Sequence, residues 1–285
     1  MRNKEQWYCR TAPSLGALER TPEEAWGTPI YDPEKHINEP TVFFGLYGFP
    51  DFFSLWRHRG QKAILFAGSD IVHFNNGYFL DAVGNIRIQP RELAKWINEN
   101  CESWVENEEE KRILLMSGIE SQVCASFLGD IQKYDISFLL AERPQVYASV
   151  SGENFESYGW YLIDKIADSV PEVDFHLFGA LIDIKRENVF VRGRVPKEQM
   201  NEEIKDMQCG LRLNPMDGFS EITAKSVLWG QYPIVRARFN YPYLDSFETE
   251  QELIGCLKNL RKKKEPNFEA RKWYWENLNL YPWAR

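Results

Sequence analysis

Leu211-Arg-Leu-Asn-Pro-Met-Asp-Gly-Phe-Ser-Glu-Ile-Thr-Ala-Lys-Ser-Val-Leu-Trp-Gly-Gln-Tyr-Pro-Ile-Val235 is the stretch whose reading decides the fold. It reads as a short buried strand over 210–213, a polar turn, a helix over 221–229 and a second strand opening at Pro233. Pro215 and Gly218 bend the turn, and Ser220 is a good N-cap for the helix. Ala224, Val227 and Leu228 recur at helical spacing and predict one face buried against a sheet. Gly230 ends the helix. A strand, a glycine-containing turn and a helix start together present free backbone N–H groups and a positive dipole end, which suits a phosphate. Any βαβ unit shares that outline, although open α/β sheets do gather ligands at strand C-termini.

Asp217-Gly-Phe-Ser, followed by Ala-Lys-Ser-Val-Leu-Trp-Gly-x-x-Pro-Ile, resembles the donor-site segment of GT-B glycosyltransferases, close to glycosyltransferase family 4. Arg212-Leu-Asn-Pro-Met-Asp-Gly-Phe-Ser220 is similar to the R-L-x-x-H-D-G-x-S version carried by a subset of that family. The pattern departs at two places: the family His falls on Met216, and the second Glu of the E-x7-E motif falls on Lys225. A lysine donates hydrogen bonds and cannot accept them, so the usual carboxylate grip on ribose hydroxyls is missing. From one turn inside the helix, Lys225 is within reach of a phosphate instead.

The chain has 285 residues, 44% of them hydrophobic and 14% aromatic, enough for one large or two modest globular domains. The net charge of −8 argues against a nucleic-acid binder that relies on backbone neutralisation. Cys9, Cys101, Cys124, Cys209 and Cys256 are odd in number and scattered, which suits a reducing compartment and argues against a structural zinc site. The polar N-terminus and the lack of a long apolar run predict a cytoplasmic chain with no transmembrane segment. His36, His58, His73 and His176 do not cluster at metal-ligand spacing, and His176 reads as core. Hydrolase and P-loop signatures are absent.

Residues 1–39 read as an irregular leader with a short helix at 22–26. Thr41 to Gly48, Asp51 to Arg57 and Lys62 to Ala67 form a βαβ unit whose Gly45–Gly48 and Gly68–Asp70 loops sit at strand ends. Asp70 reads either as a helix or turn cap or as a catalytic carboxylate. Asn76-Gly77 marks a turn and 85–88 has strand character. A helix over 90–98 and a strand, turn and helix over 101–118 follow, with the Glu106 to Lys111 charge run read as a solvated helix face. Residues 123–128 are expected as the last strand before a linker over 130–144.

The second half alternates strands at 145–150, 174–179, 188–193 and 210–213 with helices at 158–169, 196–207, 221–229 and 249–261. This order resembles the donor-binding domain of GT-B enzymes over nearly its whole length. The expected organisation is therefore α/β and GT-B-like, two Rossmann-like domains facing a central cleft. It divides into a leader (1–39), an N-terminal acceptor domain (40–140), a C-terminal nucleotide-sugar domain (145–265) and a final aromatic helix (266–285) that crosses back onto the N-terminal domain.

The resemblance implies transfer of a sugar from a UDP- or GDP-sugar to a glycan, lipid-linked or cell-envelope acceptor, with no metal or prosthetic group and with retention of configuration. Asp217 and Asp70 are the implied catalytic carboxylates, Asp217 holding sugar hydroxyls. Gly218, Phe219 and Ser220 would meet the leaving phosphate through backbone N–H groups and the helix start, with Asn214 on the same turn. Gly45, Tyr47 and Gly48 would close over the diphosphate, and Arg194 and Val195 would border the base. In many family members a G-R-x-x-x-x-K-G turn grips the diphosphate. Gly152 fits its first glycine, but Glu153 and Tyr158 stand where its Arg and Lys belong. Arg192, Arg194 and Arg212 read either as the replacement phosphate contacts or as surface ion pairs. The substitutions at Lys225, Met216 and Glu153 leave open a degenerate GT-B protein that serves as a binding or assembly partner. The Lys258 to Lys264 cluster reads as favourable charge at a helix end or as a contact for an anionic partner, and is the one support for sugar transfer to nucleic acid.

Overall fold

The computed structural model describes residues 5–18, 21–75, 90–150 and 154–284. The turn expected at Asn76-Gly77, the strand expected at 85–88, and Gly152 and Glu153 lie outside them. The chain divides into two compact units. The first comprises Met1–Asp130, Met216–Phe219 and Asn277–Arg285, and the second Ile131–Pro215 and Ser220–Glu276.

The first unit contains β1 (Tyr8–Thr11), α1 (Thr21–Trp26), β2 (Thr41–Phe44), α2 (Phe49–Arg57), β3 (Lys62–Leu65), α3 (Ser69–Asn75), α4 (Pro90–Asn100), β4 (Glu102–Val105), α5 (Glu108–Met116) and β5 (Gln122–Val123). Among the described residues its five strands are parallel, in the order β1-β2-β3-β4-β5. Alternation places Phe43 and Ile64 in one apolar cluster and Val42, Phe44 and Leu65 in another. A parallel strand covered on both faces reads as a continuous apolar run, as Thr41-Val-Phe-Phe does.

The leader is not irregular throughout. Tyr8 pairs with Thr41 and Arg10 with Phe43, so residues 8–11 extend the sheet. Four residues flanked by Pro and Gly breaks are too few for a period-two pattern to stand out. The strand expected over 123–128 stops at Val123, because the Asn279 side chain holds both the N–H and the C=O of Phe127 in place of a neighbouring strand. The aromatic tail beyond Asn277 also belongs to this unit. Tyr281 and Trp283 stack at 4.7 Å in its core, and Trp26 donates to Asn279 at 3.2 Å.

The second unit contains β6 (Gln145–Ser149), α6 (Trp160–Ile166), β7 (Asp174–Phe178), β8 (Val189–Gly193), α7 (Lys197–Ile204), β9 (Cys209–Gly210), α8 (Glu221–Leu228), β10 (Ile234–Arg236), β11 (Asp245–Phe247), α9 (Glu250–Asn259) and most of α10 (Phe268–Asn277). Its strands run β8-β7-β6-β9, and a parallel bridge from Leu211 to Ile234 carries the order on to β10-β11. In sequence terms this is 3-2-1-4-5-6, the Rossmann order, whose direction reverses between β6 and β9. Val146, Ala148, Phe175 and Leu177 pack on one side of the sheet with α6 and α9, and Tyr147 and Phe178 on the other with Ile222. Gly179 lets the ends of β6 and β7 approach: its φ is +105°, and a Cβ there would stand 2.2 Å from the Val150 carbonyl.

Candidate functional site

The reversal between β6 and β9 places a cavity of about 540 Å³ at the C-terminal ends of the second unit's strands. Ser149 and Val150 line it after β6, Phe178 and Gly179 after β7, Arg212 after β9, and Ser220 at the start of α8. Ser220 caps that helix as the sequence predicts, its Oγ accepting the Thr223 N–H at 3.2 Å. The helix is buried from Ile222 to Leu228, and Ser226 Oγ ties it to the sheet by accepting the Gly210 N–H at 3.0 Å. A dipole end and strand ends therefore converge on one hollow.

The charged side chains lining the hollow are mostly cationic. Among the described residues Arg194, Lys197, Arg212 and Lys225 line it, against the single carboxylate of Glu221. Arg194 is exposed and makes no ion pair with the described residues, so its five donors are available. Val195 lines the wall beside it. The Arg212 guanidinium lies 4.6 Å over the Tyr158 ring, which orients this cation. Arg192 is elsewhere: it pairs with Glu203 at 3.1 Å on the surface, the ion-pair alternative of the sequence.

Lys225 lines the cavity but is committed. Its ammonium donates to Asn201 Oδ1 at 2.7 Å and meets Glu221 Oε1 at 2.9 Å, and Lys197 reaches the same Glu221 oxygen at 2.7 Å. Burial draws the Lys225 pKa down despite Glu221. Burial pushes Glu221 the other way, and Lys225 with Lys197 more than offsets it, leaving this carboxyl below its usual value. Lys197, Asn201 and Glu221 carried no sequence signal, since their roles arise from α7 and α8 lying side by side. Asn214 is buried at 8% exposure, and its Oδ1 has no hydrogen-bond partner among the described residues.

The other expected site residues lie in the first unit, and most of their donors are in use. The Gly45 N–H goes to the Leu65 carbonyl, the Leu46 N–H to Asp70 Oδ2 at 2.8 Å, and the N–H groups of Tyr47 and Gly48 to Asp51 Oδ2 at 2.9 and 3.1 Å. The loop expected to close over a diphosphate is thus held by two carboxylates of its own unit. Asp70 is fully buried in the first turn of α3, accepts the Ala67 N–H of the preceding loop at 2.9 Å, and is pushed up to about 7 by burial against these hydrogen bonds.

The segment Met216–Phe219 also packs within the first unit. The Asp217 carbonyl accepts from Asn107 at 2.7 Å, and the Phe219 N–H donates to Glu106 Oε2 at 3.0 Å, although that N–H was expected to serve a phosphate. Glu106 Oε1 accepts from Ser126. Glu110 is 1% exposed and its Oε2 accepts the Glu106 N–H at 2.8 Å. The charge run expected as a solvated face therefore turns two carboxylates inward. The signal was present: Asn107-Glu-Glu-Glu110 is an N-cap with a glutamate three residues on, and the cap forms, Asn107 Oδ1 accepting the Glu110 N–H at 2.9 Å. Burial pushes Glu106 up to about 8, and burial together with the Glu106 charge raises Glu110 well above its usual value.

No family model matches the sequence, and no curated protein matches it. Solved structures do. A variant of S. aureus TarM, in complex with fondaparinux, alpha-GlcNAc-glycerol and UDP, is 14% identical with a TM-score of 0.57, over 85% of this chain and 53% of that one. Sucrose-phosphate synthase from Thermosynechococcus elongatus is 9% identical at 0.58, over 83% and 69%. WaaG, a glycosyltransferase involved in lipopolysaccharide biosynthesis, is 12% identical at 0.52, over 87% and 76%. The chain spans about half the length of the TarM structures. At these identities the likeness shows architecture, and the fold of this α/β chain is that of the GT-B glycosyltransferases.

Proposed function

We propose that the protein is a glycosyltransferase whose second unit holds the nucleotide part of a UDP- or GDP-sugar donor. The observation that carries this reading is the cavity at the strand-order reversal, with four cationic side chains against one carboxylate among the described residues and a capped helix start on its rim. A diphosphate needs concentrated positive charge, and Arg194 and Arg212 offer planar donor forks for it without a metal. Val195 borders the base, and the start of α8 stabilises charge developing on the leaving phosphate. The UDP bound in the TarM complex suits a pocket of this kind. Asp217 remains the carboxylate we assign to sugar hydroxyls, whereas Asp70, with both oxygens on backbone N–H groups, is given a positioning role. Transfer to a glycan, lipid-linked or cell-envelope acceptor with retention of configuration follows from the family resemblance.

A second reading has its own support: a GT-B protein kept for binding rather than turnover. Lys225 is locked to Glu221 and Asn201, and the Phe219 N–H is taken by Glu106, so two expected donor contacts are already spent. A thermal-shift screen against UDP, GDP, ADP, CMP and their sugar conjugates tests the donor site, because a ligand that binds the folded state alone raises Tm. A shift with one nucleotide supports the donor reading. Hydrolysis or transfer of the matching sugar then selects enzyme over binding protein. The absence of any shift would sink the donor site.

A further inference from the structure

A second charged hollow, of about 500 Å³, lies in the same unit and is lined by Leu140, Ala141, Glu142, Arg261 and Lys264. None of these residues takes part in the nucleotide cavity. Two features meet here. One is cationic: Lys258 at the end of α9 and then Arg261, Lys262 and Lys264 are all exposed, and 258, 261 and 262 fall on one helical face. Lys258, Arg261 and Lys264 make no ion pair among the described residues, in a chain whose net charge is −8. Lys263 is different: it meets Asp245 at 3.4 Å and lies over the Tyr232 ring.

The other feature is apolar. Leu140, which lines the hollow with Arg261 and Lys264, is 56% exposed, and its chain neighbour Leu139 is 58% exposed. Their display is fixed, because the Leu139 carbonyl accepts from Gln208 and its N–H points to the Asp206 carbonyl. Favourable charge at a helix C-terminus explains one or two of the lysines and leaves the leucines unexplained. A soluble polyanion would use the cations and have no use for the leucines. An anionic bilayer uses both, with apolar side chains in the headgroup boundary and cations on the lipid phosphates. Glu142 is the one carboxylate that lines the hollow among the described residues, and exposed Glu265 follows Lys264 in the chain.

We propose that this face of the second unit docks on an anionic phospholipid surface, with Leu139 and Leu140 entering the headgroup layer and Lys258, Arg261, Lys262 and Lys264 meeting lipid phosphates. The contact is weak and reversible, strongest at low salt, and independent of nucleotide in the other cavity.

The test is co-sedimentation of the full chain with vesicles of phosphatidylglycerol and phosphatidylcholine, against phosphatidylcholine alone. Binding is expected to the anionic vesicles only and to fall with added salt. Each charge removed, in Arg261→Ala and Lys264→Ala, is expected to weaken it about fivefold. Leu139→Ser with Leu140→Ser is expected to weaken it further, while the Tm and urea midpoint stay as in the parent chain and report an intact fold. Failure to bind anionic vesicles overturns the proposal, as does binding indifferent to the two arginine and lysine changes. Equal binding to a soluble polyphosphate, untouched by the leucine changes, also overturns it and assigns a polyanion site instead.

Discussion

Gly218 and Glu106 are in such close approach that a Cβ on Gly218 would stand 1.8 Å from Glu106 Oε2. The same oxygen accepts the Phe219 N–H at 3.0 Å, so the glycine lets a carboxylate reach the backbone of the next residue. Gly218→Ala is expected to displace Glu106 and strand that N–H, at a cost of about 1–3 kcal/mol. Urea unfolding of Gly218→Ala, Glu106→Ala and the double variant should show the second change costing much less after the first. Fully additive costs would mean the two residues do not act through each other.

Asp70, Glu106 and Glu110 are all pushed above their unfolded carboxyl values by burial, Asp70 to about 7 and Glu106 to about 8. Protonation is therefore easier in the folded chain. Their contribution to stability is fully present below the unfolded carboxyl pKa and is lost as pH rises through 7 and 8. The unfolding free energy attributable to these groups should fall between pH 5.5 and 8.5. Glu110→Gln, whose amide oxygen still accepts the Glu106 N–H, should flatten that slope. An unchanged slope would show that Glu110 titrates normally.

Ser220→Ala removes the acceptor of the Thr223 N–H at the first turn of α8. A lost N-cap costs about 1 kcal/mol of stability, readable as a lowered urea midpoint. Nucleotide affinity should drop as well, since the cap sets the helix start that rims the cavity. Loss of stability with affinity intact would remove the helix start from the donor site.

Arg194 is the cleanest probe of the charge argument, being exposed and outside any ion pair among the described residues. Arg194→Ala should leave unfolding unchanged within error and weaken nucleoside diphosphate binding roughly tenfold to a hundredfold, the value of a charge-assisted contact. Isothermal titration with the nucleotide identified by thermal shift reads it directly. Arg192→Ala, at a residue paired with Glu203, is the control and should leave affinity alone.

Much of the second unit was legible because each of its elements carries its own punctuation. Ser220 before an apolar-periodic run, Gly230 with φ +82° after it, and Pro233 ahead of a strand bound that helix without reference to anything distant. Thr249 and Glu252 form a capping box that starts α9 where the residue spacing expects it. The first unit was harder at its edges. Residues 8–11 become a strand through pairing with Thr41–Phe44, more than thirty residues away in sequence, and nothing local announces that partner.

The candidate site divided along the same line. Sequence pattern brought Arg194, Arg212, Ser220 and Lys225 onto the page, and the structure places all four around one cavity. It could not say which donors were already spent. That Lys225 faces Glu221 and Asn201, that Asp51 and Asp70 hold the Gly45–Gly48 loop, and that Glu106 takes the Phe219 N–H depend on elements adjacent in space.

By itself the sequence determined the alternation of strands and helices, the caps that bound them and the residue types a phosphate site needs, because propensity, periodicity and capping act within a few residues. Only the tertiary structure decided the strand order that opens the cavity between β6 and β9, and which carboxylates turn inward. Those outcomes rest on burial and on hydrogen bonds between residues far apart in the chain, whose free energy exists once the sheets have formed.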